Sequence, residues 1–401
     1  MSLDFLAKPS SRGGSADAFG RLRISDPQTL FDYQSQYDVG PLLWEDDTNG
    51  SGAAAHAPNS SAVDLSVTTA SGDRVTRQTR QYHRYQPGKS QLVFFTFVMN
   101  AGQANTDQRV GYFDDKNGIF LELTGTTLQL VRRTNTSGSP VDSEVTQANW
   151  NINTLDSLDI TKAQIFVIDM EWLGVGSVRC GFVIDGQIIY VHQFQNANVL
   201  SDVYMTTANL PVRYEIENTD TAAAGATLRA ICCSVISEGG FEENRGIPFS
   251  AGSGATPVGV TTTARTPIVS LRPKATFNSI ENRGQILLFN VEGYASSVGA
   301  LFEVVYNGAL TGASFASVDA NSITEADTSA SAITGGQLIL SFYVAAGGQV
   351  SNSDTTSILS RLPLTLDKSG ANPINISLVA TRIGGSGTSS CAGAFYWQEL
   401  R

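Results

Sequence analysis

The chain has 401 residues, 41% of them hydrophobic, which is enough material for more than one buried core. Only 16% are charged, against the usual ~25%, and the formal net charge is −11. This balance excludes a protein that grips nucleic acid with a broad basic face, and no apolar run approaches the ~18 residues of a membrane-spanning helix. The charge is uneven, because residues 251–401 carry 8 of the 26 basic and 9 of the 37 acidic groups. Such sparse charge fits a surface buried in an assembly, and equally a neutral β domain with a Ser/Thr surface.

The four cysteines, Cys180, Cys232, Cys233 and Cys391, form no CxxC pair, and a disulfide framework would be denser. They are expected to be reduced core residues. Met1 to Phe5 lack the basic-then-apolar pattern of a signal peptide, so classical secretion is not expected.

Residues 1–60 show little periodicity. Ser10 to Gly14 is a polar run, and Ala18 to Pro27 reads as extended because Pro27 disfavours helix before it. Phe31, Tyr33, Tyr37 and Trp44 follow, and then Asp46 to Ser61 reads as a loop. The segment is expected to be an N-terminal arm. Phe19, Arg21, Phe31, Tyr33, Tyr37 and Trp44 are its candidate subunit-contact residues.

Strands are expected around Ala62–Thr69 and Arg74–Tyr85. Arg74, Arg77, Arg80 and Arg84 then form the one basic-aromatic patch with Tyr82, His83 and Tyr85, and it reads as a solvated or interface surface. Leu92 to Met99 reads as a central strand buried on both faces. Asp114 to Gly118 is a turn between strands. In Ile165 to Trp172, Phe166, Ile168, Met170 and Trp172 share one face, and Asp169 and Glu171 the other. Val178 to Ile184 repeats the alternation. Asp185-Gly186 reverses the chain into Gln187–Phe194, because this dipeptide tolerates the positive φ of a two-residue hairpin turn. With Val212–Ile216 and Leu228–Ser237, the count reaches roughly ten to twelve short strands, the pattern of an antiparallel sandwich.

A Gly/Ser-rich linker follows. Ile268–Leu271, Gln285–Gly293, Leu301–Tyr306, Gln337–Val344, Leu362–Leu366, Ile374–Ala380 and Ala394–Leu400 read as a second, smaller sandwich. The expected fold is all-β. Its parts are an arm (1–60), a large antiparallel jelly-roll sandwich (61–240), a linker (241–256) and a C-terminal β-sandwich (257–401).

No catalytic set emerges, and an enzyme is not expected. Paired carboxylates such as Asp169 and Glu171 can flank a glycosidic bond. Jelly-roll glycan hydrolases place a further Glu at the position held here by Val167, which cannot act as a nucleophile, so the pair reads as two solvated carboxylates. A sugar could instead stack on aromatics of a concave sheet face. Tyr112, Asp169, Glu171 and Tyr190 are the candidate glycan-binding residues. His56, His83 and His192 are scattered, and Asp114, Asp115 and Asn117 are explained by their turn, so no metal or cofactor is expected. No phosphate-binding loop precedes a helix.

Two stretches resemble virion structural proteins of tailed bacteriophages. One is Asp17–Asp32 (DAFGRLRISDPQTLFD), followed by Tyr37 and Trp44. The other runs from Arg84–Ser90 (RYQPGKS) through Gly111–Asp114, Asn117–Phe120, Thr161–Asp169 (TKAQIFVID), Trp172–Gly176 (WLGVG) and Leu210–Ile216 (LPVRYEI) to Ser234–Gly240 (SVISEGG). The middle segment also resembles the concanavalin-like jelly roll. Residues 250–401 carry no resemblance. The resemblance implies a structural part of the neck or collar, tail or baseplate, or capsid surface. It would be assembled in the host cytoplasm as a homo-oligomer with other virion proteins as partners. The alternative it implies is a module that binds a host-surface glycan. Neither reading involves nucleic acid or a membrane span.

Overall fold

The structure is a computed structural model and describes residues 26–240, 246–261, 264–352, 362 and 364–401. The chain divides into two compact units, residues 1–242 and 243–401. It is all-β, built from antiparallel sheets in sandwich arrangements.

The first unit opens with β1 (Gln28–Gln34), β2 (Trp44–Asn49), β3 (Ala53–Ala57), β4 (Ala62–Val67) and β5 (Arg74–Thr79). Next come β6 (Ser90–Val98), β7 (Thr106–Phe113), β8 (Gly118–Thr124), β9 (Thr127–Thr134) and β10 (Val141–Thr146). It ends with β11 (Gln164–Met170), β12 (Val178–Ile184), β13 (Gln187–Phe194), β14 (Val212–Asn218) and β15 (Ala226–Glu238). One sheet runs β13-β12-β11-β6-β15-β4-β3, with β1 also on β15; the other runs β10-β9-β8-β7-β14-β5-β2. The chain crosses repeatedly between the sheets, as at β4 to β5, β5 to β6, β6 to β7, β13 to β14 and β14 to β15, which gives the interleaved order of a jelly roll. Inward residues of both sheets, such as Phe95, Phe166, Ile168, Tyr112, Leu121 and Ile216, share one core. At the β12–β13 turn, Asp185 and Gly186 have φ of 50° and 74°, as the hairpin reading requires.

The structure corrects the reading of residues 28–60. β1 lies along β15, from Gln28 opposite Ser237 to Gln34 opposite Cys232, and β2 and β3 are strands where a loop was expected. Phe31 and Trp44 are buried in this unit's own core. They face each other edge-on at 6.1 Å, so neither is available to a neighbouring subunit. Arg77 is also inside rather than solvated. Its guanidinium lies 4.6 Å over the Trp44 ring and binds Asp46 at 2.7 Å. Tyr33 is half-buried, and its hydroxyl donates to Asp38; burial and that carboxylate push its pKa to about 12. Tyr37 alone of these aromatics is exposed, at 84%. Phe19 and Arg21 lie outside the described residues.

β6 is central as expected, but only one face is fully buried. Val93, Phe95 and Phe97 point into the core, while Phe94, Thr96 and Val98 are half-buried.

The second unit begins with β16 (Ile247–Gly252), β17 (Val258–Val260), β18 (Thr266–Pro273), β19 (Thr276–Phe277) and β20 (Ile280–Glu281). It continues with β21 (Gln285–Ala295), β22 (Ala300–Tyr306), β23 (Ala309–Thr311), β24 (Ala316–Ser317) and β25 (Thr324–Asp327). The last are β26 (Ala332–Thr334), β27 (Gln337–Val344), β28 (Gly348–Asn352), β29 (Ile376–Arg382) and β30 (Ser389–Leu400). One sheet runs β16-β30-β21-β28 and the other β24-β25-β18-β29-β22-β27. Phe302, Phe395, Trp397 and Leu378 are among the residues that fill the space between them. Gly293 and Gly393 stand opposite each other on β21 and β30. A Cβ on Gly393 would fall 2.4 Å from Leu378 Cδ2, and one on Gly293 3.0 Å from the Phe342 ring. Gly293 makes room for the Phe302–Phe342 stack, whose rings lie 5.5 Å apart and 9° from parallel, and Gly393 for Leu378. Within the expected strand Leu362–Leu366, the described residues form only an isolated bridge, Leu366 to Pro373. The four cysteines are free, with Cys180, Cys233 and Cys391 buried.

Candidate functional site

β11 runs between β12 and β6, and this placement decides the fate of its polar face. Asp169 was expected to be solvated, but it is wholly buried. It stands opposite Arg179 on β12, which donates to its Oδ2 at 2.6 Å, and Tyr190 on β13 donates to the same oxygen. The Arg179 guanidinium lies 4.6 Å over the Tyr190 ring. Val167, on the same outward face, is also buried. The three polar groups form a cross-strand set, a structural arrangement rather than a cleft.

Glu171 does a different job. Its Oε1 accepts from the Ser177 amide at 2.9 Å, and its backbone carbonyl accepts from the Tyr204 hydroxyl at 2.7 Å. It thereby pins the loop Trp172 to Ser177. Tyr112 is fully buried, and its hydroxyl donates to the His83 carbonyl at 3.0 Å. Its ring stacks on the His83 imidazole. Burial raises the Tyr112 hydroxyl pKa and pushes His83 down to about 3. Of the four proposed sugar contacts, the structure brings Asp169 and Tyr190 together, leaves Glu171 and Tyr112 elsewhere, and presents neither tyrosine ring to solvent.

The other sheet carries a polar row that the sequence reading missed. Thr76, Glu215, Arg109, Glu122 and Gln129 lie in register across β5, β14, β7, β8 and β9. Thr76 donates to Glu215 at 2.9 Å, Arg109 to Glu215 at 2.7 Å and Glu122 at 2.5 Å, and Gln129 to Glu122 at 2.7 Å. Asp107 and Glu217 complete the set around Arg109, at 3.0 and 2.5 Å. Burial opposes ionisation of Glu215, but Arg109 and Arg213 together hold its carboxyl below the usual range. The only signal in sequence was alternation of charge in Asp107/Arg109 and in Arg213/Glu215/Glu217, and it gains meaning only once the strand register is known.

The second unit holds an open cleft of about 410 Å³. Arg272 on β18 forms one wall; its Cζ lies 4.0 Å over the Phe315 ring, and its Nε donates to Glu325 across the β18–β25 pair at 2.7 Å. The β22–β23 turn places Asn307 at the lip with φ 55°, a conformation that Asn tolerates better than most residues. The Asn307 amide donates to the Asn375 carbonyl at 2.7 Å, and Asn375 Nδ2 donates to Gly308 O at 2.9 Å. Leu310 and Pro373 supply apolar surface. Among the described residues, no group of three His, Cys, Asp or Glu is placed to hold a metal ion. No helix there is long and apolar enough to cross a membrane.

No protein-family model matches the chain, and no curated protein matches it. Among solved structures, the chain is similar to a legume lectin-like domain from Entamoeba histolytica, at 6% identity over 51% of this chain and 96% of that one, with a TM-score of 0.32. It is similar to a Bacteroides ovatus mixed-linkage glucan GH16 protein, at 8% identity over 51% and 99%, with a TM-score of 0.37. It is also similar to a botulinum neurotoxin serotype D/C binding domain, at 8% identity over 80% and 73%, with a TM-score of 0.32. At these identities and scores, none of the three carries an argument for a ligand or a reaction here.

Proposed function

We propose that the chain is a structural component of a tailed-bacteriophage virion that assembles with copies of itself. The resemblance of Asp17–Asp32 and of Arg84–Gly240 to phage structural proteins supports this reading. The structural observation that carries it is the edge of β27, unpaired among the described residues. Among the described residues, this strand pairs with β22 on one side only. Edge strands of monomeric proteins are usually guarded by charge or proline. β27 has neither, and no Asp, Glu, Lys or Arg occurs between Asp327 and Asp354. Leu338 and Tyr343 on this edge are 42% and 71% exposed. An uncharged strand meets no repulsion from its own copy, so two chains related by a two-fold axis can pair β27 antiparallel and join their sheets.

The test is the mass of the full-length protein by light scattering over a concentration series. A defined oligomer is expected, and a Leu338→Lys, Tyr343→Lys double variant should fall to a lower mass with its melting unchanged. A wild-type monomer at every concentration, or a double variant of unchanged mass, would defeat the reading. The jelly-roll glycan-binding alternative loses support because Tyr112, Asp169 and Tyr190 are buried in internal hydrogen bonds.

A further inference from the structure

We infer that the cleft of the second unit between Arg272, Asn307, Phe315 and Asn375 binds a neutral saccharide. This inference goes beyond the assembly role and does not rest on it. Four observations converge. The cleft volume of about 410 Å³ lies within the ~300–1,000 Å³ of small-molecule sites. Arg272 is the one charged lining residue, and Glu325 balances it at 2.7 Å, so the site offers no net field to an anion. Leu310, Pro373 and the half-buried Phe315 ring, one face of which Arg272 covers at 4.0 Å, give an apolar wall of the kind against which the C–H face of a pyranose packs. The polar groups are amides and guanidinium N–H groups, which match vicinal hydroxyls that both donate and accept.

These polar groups are also held ready. Glu325 takes only the Nε–H of Arg272, and the two Nη groups make no hydrogen bond among the described residues. The Asn307 side chain makes none either, while its backbone is fixed by Asn375. Gly308 cannot yield to a larger residue, because a Cβ there would fall 2.5 Å from Ile333 Cδ1. A rigid turn thus presents an unengaged amide at the mouth of a neutral, aromatic-walled cleft, and preorganisation of this kind lowers the ordering cost of binding.

The experiment is ligand-observed saturation-transfer NMR on the full-length protein. The probes are glucose, galactose, N-acetylglucosamine and glucuronic acid, each titrated to ~10 mM, a range that covers weak sugar binding. Asn307→Gly removes the amide but keeps the left-handed backbone, and Phe315→Ala removes the wall. We expect at least one neutral sugar to bind saturably, with affinity falling about tenfold or more in each variant. Circular dichroism melting of Asn307→Gly should match wild type. Three outcomes would overturn the inference: no neutral sugar binds, binding is unchanged in Asn307→Gly and Phe315→Ala, or glucuronic acid binds more tightly than every neutral sugar.

Discussion

Asp169 and Arg179 face each other across β11 and β12 at 2.6 Å, with the carboxylate wholly buried and Tyr190 donating to the same oxygen. Removing Asp169 takes from Arg179 the buried carboxylate it pairs with. Asp169→Ala should therefore destabilise the first unit by ~3–5 kcal/mol. Adding Arg179→Met should recover part of that loss, because an apolar side chain tolerates the site. Urea denaturation followed by the fluorescence of Trp44, Trp150 and Trp172 reads the change. A loss below ~1 kcal/mol, the level of an exposed pair, would contradict the burial described here.

Arg109 is the hub of four carboxylates, Asp107, Glu122, Glu215 and Glu217. Arg109→Met should cost at least ~3–5 kcal/mol at neutral pH, since it leaves like charges facing one another. In the wild type, the Glu215 carboxyl is held below its ordinary value, so its contribution is present above that value and is lost as pH falls through the folded pKa. In the variant, acid protonates carboxylates that now repel. The gap between the two proteins should therefore narrow from pH 7 to pH 5 in denaturation experiments, whereas a gap that is constant or widens would argue against Arg109 as their shared counter-ion.

His83 is buried without charge, and desolvation lowers its pKa from 6.5 to about 3. His192 is lowered to about 4 for the same reason. The unfolded chain takes up these protons near pH 6.5, whereas the folded chain does not. The stability that His83 contributes is full above that pH and falls as the solution is acidified toward its folded value. The slope approaches roughly 1.4 kcal/mol per pH unit. His83→Phe keeps an aromatic ring between Phe31 and Tyr112 and should flatten the profile between pH 6.5 and 5. An unchanged profile would show that acid sensitivity arises elsewhere.

Gly293 and Gly393 are needed for their lack of a side chain. Gly393→Val would press on Leu378 and on the Glu292 carbonyl. It should cost ~1–3 kcal/mol, the usual penalty of overpacking. A Leu378→Ala change in the same chain frees the nearer atom and should return part of the loss. Calorimetric melting would read both effects, and a fully stable Gly393→Val would mean that β21 and β30 can spread.

The strands that alternate cleanly were legible in sequence. Phe166, Ile168 and Met170 announced β11, and Asp185-Gly186 announced the hairpin after β12, because both signals are local. Burial of the opposite face was not legible. Nothing near Asp169 reveals that Arg179 and Tyr190, on the next two strands, will cover it. β1 was missed for a related reason: its hydrogen-bonding partner, β15, lies about 200 residues further along the chain, and short strands with distant partners leave little pattern of their own. The described residues of Leu362–Leu366 differ in the opposite direction, since Leu364 and Leu366 pack in the core with only the Leu366–Pro373 bridge. The cleft at Arg272 gave no sequence signal, because its walls come from four separate turns and strands.

The row from Thr76 through Glu215, Arg109 and Glu122 to Gln129 runs crosswise to the strands that carry it. Slipping any one of these five strands by a single residue would move its polar group to the other face of the sheet. The slip would break bonds to the neighbours on that strand and strand the remaining charges. Hydrophobic alternation alone tolerates a slip of two residues, whereas on β8 such a slip would put Phe120 or Thr124 in the place of Glu122. It therefore works as a proofreading code for the sheet, in which a strand's alignment is checked against the strand beside it.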